Sequence, residues 1–173
     1  AFQAIYARDL PRAALARIVR EFPGARLTMV GPDKGDGSLT RTLRTAQSLG
    51  VADRVTVSGP VPKDAIPALL GKSDIFLNTA SVDNTPVTVL EALATGLCVV
   101  STRAGGIPWL LDDGVDALLV PVSDPEPMAA AVRRLLLEPG LAGRLSSAAR
   151  ARAMQSDWSL LLPAWGALLA SVA

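Results

Sequence analysis

Short apolar runs and amphipathic stretches alternate along this chain. Residues 2–7 (FQAIYA) are apolar and predict a first strand. Leu10, Ala14, Leu15, Ile18, Val19 and Phe22 then recur at helical spacing, with Arg12, Arg17 and Arg20 opposite them, so 10–22 predicts an amphipathic helix. Pro23-Gly24 stops it, and 26–30 (RLTMV) reads as a second strand ending at Gly31-Pro32. After the loop GPDKGDGS, Ser38 is placed to cap a helix running to about Leu49, with Gly50 as its stop. A third strand at 55–58, a short helix at 63–70, and further strands at 75–78, 98–101 and 117–120 follow. The remainder is helical: 125–138 with Asp124 as cap, 141–154 after the break Pro139-Gly140, and 158–169.

Strands alternating with helices predict an α/β chain with a mainly parallel sheet covered on both faces. Six strands favour a Rossmann-like, three-layer αβα architecture in the doubly wound order 3-2-1-4-5-6. No internal repeat or long linker divides residues 1–173, so they read as one domain. In such a sheet a ligand crevice lies beyond the carboxyl ends of strands one and four, where the winding reverses. Strand four ends at Asn78, directly before the polar loop 78–85.

The stretch 74–106 (DIFLNTASVDNTPVTVLEALATGLCVVSTRAGG) therefore organises the candidate chemistry. Thr85 is placed to cap a helix with Pro86 at its first position, which would aim the amides of Val87 and Thr88 at the crevice. A helix start of this kind binds phosphate, and it is also what any capped helix looks like; the residues alone leave both readings open. At 100° per residue, Val87, Val89, Leu90, Leu93 and Ala94 fill one apolar arc and Glu91 stands at its edge, one turn in. A carboxylate there could accept two ribose hydroxyls, or could be an ordinary solvated residue. Asp83 stands just before the helix, where its charge also favours the dipole.

Composition narrows the classes. Half the residues are hydrophobic and 19% are charged, which excludes a disordered chain. A net charge of +1 with 4% aromatics gives no case for nucleic acid or an acidic membrane. There is no histidine, so histidine triads and histidine metal sites are out, and no Asp or Glu cluster beside Asp83 and Glu91 suggests a metal. The single cysteine, Cys98, sits in an apolar run and reads as a small core residue compatible with a reducing cytoplasm. No stretch is long and apolar enough to span a bilayer. A dinucleotide fingerprint is absent after the first strand, where Arg8-Asp9-Leu10-Pro11 stands in its place.

Asp83, Pro86, Leu90-Glu91-Ala92-Leu93-Ala94, Gly96, Val99-Val100, Thr102 and Gly105-Gly106 together resemble the E-x7-E hallmark stretch of family 4 (group 1) retaining glycosyltransferases of the GT-B fold. Flanking segments 25–32, 49–70 and 112–132 are similar to the same family's C-terminal, donor-binding domain, so the resemblance covers nearly the whole chain. It implies a transferase that moves a sugar from a nucleoside-diphosphate sugar (UDP-sugar or similar) to an acceptor with retention, without a divalent metal or other cofactor. By the same resemblance, Glu91 holds the donor ribose and Asp83 lies near the donor sugar and phosphates. Asn84, Thr85, Pro86, Val87 and Thr88 form the loop whose amides contact sugar and diphosphate. Gly31 lies close to the nucleotide, Pro60 and Val61 border the base, and Arg8 is the basic residue placed to neutralise the diphosphate.

The chain also departs from that pattern. Asp83 is one methylene shorter than the usual Glu, Asn84-Thr85 replace Gly-Phe or similar, and Trp109 stands where many members carry Glu. Lys34, in the Gly-rich loop, could reach a phosphate but reads more readily as a solvated loop tip. GT-B enzymes have two Rossmann-like halves and only the second is present here, so the N-terminal acceptor domain is expected in cis or on a separate chain. The start at Ala1 fits a processed protein, an excised piece or a fragment alike. The expected function is the donor-binding half of a glycosyltransferase, weakly active or inactive alone, located in the cytoplasm or peripheral to a membrane through the other half. The alternatives are a nucleotide-sugar epimerase of similar architecture and a non-catalytic binding domain paired with an acceptor-domain chain.

Overall fold

The computed structural model describes residues 2–5, 10–33 and 35–171. Arg8 and Lys34 lie outside the described residues. Among these residues six strands form one sheet: β1 (Phe2–Ile5), β2 (Leu27–Met29), β3 (Val55–Val57), β4 (Ile75–Asn78), β5 (Cys98–Thr102) and β6 (Ala117–Val120). Every pairing is parallel, and the spatial order is β3-β2-β1-β4-β5-β6. Among the described residues, eight α-helices intervene or follow: α1 (Leu10–Ile18), α2 (Ser38–Ser48), α3 (Ile66–Leu70), α4 (Val87–Ala94), α5 (Ile107–Leu110), α6 (Pro125–Leu137), α7 (Leu141–Met154) and α8 (Trp158–Ser171).

Strand periodicity of two divides the core into two layers. Ile75 and Leu77 of β4, Cys98 and Val100 of β5, and Leu118 and Val120 of β6 pack with Leu15 and Ile18 of α1 and Met128 and Val132 of α6. The alternate residues Phe76, Val99, Ala117 and Leu119 pack on the other face with Val89 and Leu93 of α4 and Ile107 of α5. All three strands are buried throughout, as the apolar runs in the sequence required. Cys98 is a buried, free thiol in this core, and burial pushes its pKa up, which leaves it a packing residue.

Several helix boundaries differ from the sequence expectation. α1 stops at Ile18, and a turn through Phe22 replaces its last part. α2 is preceded by Gly37 with no side-chain cap; the Asp36 carboxylate accepts the Ser38 N–H at 2.9 Å instead, so Ser38 begins the helix. The Asp124 cap is as expected, its carboxylate accepting the Glu126 N–H at 3.0 Å. α5 had no sequence counterpart, since four residues after Gly106 are too few to show a period.

The turn into β6 is held by ion pairs. Asp116, 2% exposed, accepts from Arg152 Nε at 2.8 Å and from the Asp112 N–H at 2.9 Å. Arg152 also pairs with Asp112. These contacts anchor α7 to the loop that leads from α5 into β6.

α8 has no buried residue, although it reads WSLLLPAWGALLAS and carries no charge. Trp158, Leu160, Leu162, Trp165, Leu168 and Leu169 are all more than half exposed. No described helix is long and apolar enough to cross a membrane. Because α8 adds nothing to either core layer, deleting 158–173 is expected to leave the thermal midpoint within about 2 °C of the full chain and to reduce self-association. Calorimetry and sedimentation check this; a drop of many degrees would mean that α8 stabilises the sheet.

Candidate functional site

The buried polar residues of the central strands gather at their carboxyl ends. Asn78 Nδ2 donates to Ser101 Oγ at 3.0 Å, and Thr102 Oγ1 donates to the Ala80 carbonyl at 2.6 Å. The Ala80 N–H donates back to Asn78 Oδ1 at 3.4 Å. Asn78, Thr79, Ser101 and Thr102 are each at most 4% exposed, so these bonds satisfy polar groups that burial would otherwise leave unpaired. Their effect is to bind the start of the loop after β4 to the end of β5.

A second contact fixes the far part of that loop. The Gly106 N–H donates to the Asp83 carbonyl at 2.8 Å. A Cβ on Gly105 would lie 2.0 Å from the Asp83 carbonyl oxygen, and one on Gly106 would lie 2.3 Å from that of Asn84. Any other residue at either position would overlap backbone, not a movable side chain. Gly105 is further restricted by its φ of +53°, whereas Gly106 has an ordinary φ of −80°. The pair Gly105-Gly106 is thus the seat on which Asp83 and Asn84 rest.

From that seat the chain enters α4. The expected cap does not form: Pro86 occupies the N-cap position with extended dihedrals, no side chain caps the helix, and the helix starts at Val87. Proline has no N–H to satisfy, and its carbonyl already accepts from the Val89 N–H at 3.0 Å and the Leu90 N–H at 3.4 Å. Thr85, exposed, is left outside. Among the described residues nothing accepts from the Val87 and Thr88 amides, the two left open at this helix start. The apolar arc is also redrawn. Val89, Ala92 and Leu93 are buried, while Val87 is 61% exposed and Ala94 is exposed. Eight residues packed by their middle turn leave both ends of the helix in solvent.

Glu91 and Asp83 are both half-buried, and no described residue hydrogen-bonds either carboxylate. Asn84 is exposed and Pro86 buried. Farther along the same sheet edge, the Gly31 N–H donates to the Gly59 carbonyl at 3.1 Å and the Ser58 N–H to the Met29 carbonyl at 3.0 Å. These bonds hold Gly31 beside Pro60 and Val61, beyond the ends of β2 and β3. Two strand spacings, roughly 10 Å, separate β2 from β4 across β1. The predicted residues therefore fall into two groups on one edge: Gly31, Pro60 and Val61 at one side, and Asp83 to Glu91 at the other. No group of three or more acidic or Cys side chains at metal-binding spacing occurs among the described residues.

The sequence reading missed the backbone seat. Its signal was the Gly105-Gly106 pair after a strand, which marks either a loop or a close approach and does not say to what.

With this geometry in place, comparison with known proteins identifies the class. The family model for Glycosyl transferases group 1 matches residues 7–138, and the chain belongs to that family. A D-inositol 3-phosphate glycosyltransferase of Segniliparus rotundus is 32% identical over 151 residues, covering 87% of this chain and 34% of its own length. The chain thus spans about a third of such curated relatives. Among solved structures, Anabaena HepE in complex with UDP superposes with a TM-score of 0.87 at 23% identity, over 98% of this chain and 48% of that one. The C-terminal domain of a group 1 family protein (LpcC) from Francisella tularensis superposes at 0.79 with 16% identity, over 89% of this chain and 84% of that one. The fold is that of the C-terminal half of a GT-B glycosyltransferase.

If the seat positions the loop, Gly106→Ala should cost about 1–3 kcal/mol in urea unfolding, because a Cβ must displace the Asn84 carbonyl. Gly143→Ala, in α7 with open space around it, should be neutral or stabilising by up to about 1 kcal/mol. Equal effects of the two substitutions would contradict the seat.

Proposed function

We propose that this chain is the donor-binding half of a retaining glycosyltransferase, and that it binds a nucleoside-diphosphate sugar along the carboxyl edge of its sheet. The carrying observation is the helix start at Val87, held at the switch point by the Gly105-Gly106 seat with two open amides. A diphosphate at that point meets N–H donors and the positive end of α4. Glu91, one turn along, then accepts ribose hydroxyls, and the base extends toward Gly31, Pro60 and Val61 on the same edge. Developing charge on the leaving diphosphate is stabilised by fixed amide dipoles, with Arg8 as the cation that the family resemblance assigns and without a divalent metal. The UDP bound in HepE and the GDP-mannose named for a mannosyltransferase of Mycolicibacterium smegmatis, 31% identical over 150 residues, support this ligand class.

The acceptor site belongs to a second α/β half, in cis or on another chain. The length of the relatives supports this, as does α8, whose uncharged and mostly exposed surface needs a cover. The name of one relative, D-inositol 3-phosphate glycosyltransferase, makes a phosphorylated cyclitol one acceptor class to assay. Alone, this chain transfers slowly or not at all, and it works in the cytoplasm or at a membrane surface through the other half.

Calorimetric titration with UDP, GDP, ADP and TDP tests the donor site. One of them is expected to bind, unaffected by EDTA, and Glu91→Ala is expected to weaken it by about tenfold or more, since hydrogen bonds to a charged group are lost. Equal affinity of the variant would remove Glu91 from the site, and binding of none would overturn the assignment.

A further inference from the structure

Trp109 and Val82, 91% and 84% exposed, are the two most exposed large apolar side chains among the described residues. They are far apart in sequence, but the backbones of their segments are joined at Gly106. Val82 directly precedes Asp83, whose carbonyl rests on Gly106. Trp109 lies three residues beyond Gly106, and its N–H donates to the Gly106 carbonyl at 3.0 Å. Val87, 61% exposed, opens α4 just past Asn84. Single exposed apolar residues are ordinary, but three on two segments locked together at Gly106 make a candidate patch.

Chemistry decides what such a patch fits. A lipid chain would be matched by continuous apolar surface, whereas here the half-buried Asp83 carboxylate, with no hydrogen-bond partner among the described residues, stands between Val82 and the helix start. A sugar ring needs both kinds of group. Its C–H face packs on an aromatic or aliphatic surface, and its hydroxyls need acceptors. The patch also adjoins the open amides of Val87 and Thr88, where the diphosphate is placed above.

We infer that Trp109, flanked by Val82 and Val87, is the platform on which the sugar ring of the nucleotide-sugar rests, and that it contributes to sugar specificity. This rests on the donor-site reading and adds the subsite for the sugar. Trp109 buries nothing in the fold, so its replacement should leave folding intact.

The test uses the full chain labelled with nitrogen-15, whose indole signals come from Trp109, Trp158 and Trp165, with Trp109→Phe to assign the first. UDP is compared with UDP-glucose, and GDP with GDP-mannose. The backbone amides of 83–91 should respond to one nucleotide in both forms, while the Trp109 indole should shift with the nucleotide-sugar and not with the diphosphate alone. Trp109→Ala should weaken the nucleotide-sugar by about 3- to 10-fold and leave the diphosphate unchanged, with Trp109→Phe recovering most of the loss. Responding amides with a silent Trp109 indole, and unchanged affinity in Trp109→Ala, would overturn the platform and keep the donor site. An indole that answers inositol 3-phosphate but no nucleotide-sugar would also overturn it, as the ring would then be an acceptor's. Amides silent to every nucleotide would overturn both readings.

Discussion

The close approach of two backbones at Gly105-Gly106 and Asp83-Asn84 is the constraint on which the candidate site depends. It costs both glycines their side chains, and at Gly105 a left-handed conformation as well. In return it sets the height of the loop after β4 relative to β5 and α5. The buried bonds from Thr102 to Ala80 and from Asn78 to Ser101 hold the other end of the same loop. A loop fixed at both ends gives α4 a defined starting point, and a defined starting point makes its open amides usable by a ligand.

The sheet supplies the rest of the geometry. Parallel strands buried on both faces bring every strand end with a crossover to one edge, so the loops after β2, β3, β4 and β5 line one rim. The two halves of the rim are held by different means. On the β2–β3 side, backbone hydrogen bonds pair Gly31 with Gly59. On the β4–β5 side, polar side chains and steric fit do the work. The exposed Val82, Val87 and Trp109 all stand on segments of the second side.

Much of this was legible in the sequence because it follows from short-range rules. Val99-Val100 and Leu118-Leu119 announce strands buried on both faces, and Asp124 before Pro125 announces a capped helix. The placing of Asp83 and Glu91 at either end of one loop–helix turn followed from the end of an apolar run and the helical step. What could not be read is tertiary. Thr85 has the chemistry of an N-cap, yet the seat under Asp83 and Asn84 draws the chain so that Pro86 takes that position. Periodicity put Val87 in the apolar arc, but in the fold its side chain stays 61% exposed. The family pattern supplied Gly105-Gly106 as matching letters; only the fold shows that they carry the loop of the acid. The uncharged character of α8 was visible, whereas its lack of any buried residue was not.

The central claim is that a nucleoside diphosphate sits on the first turn of α4. Site-resolved hydrogen exchange of the Val87 and Thr88 amides, with and without the saturating nucleotide, tests it most directly. The account predicts that both amides exchange markedly more slowly in the complex, while the exposed turn at Gly140 is unchanged. Unaltered exchange at Val87 and Thr88 in a demonstrably bound chain would place the diphosphate elsewhere and contradict the account.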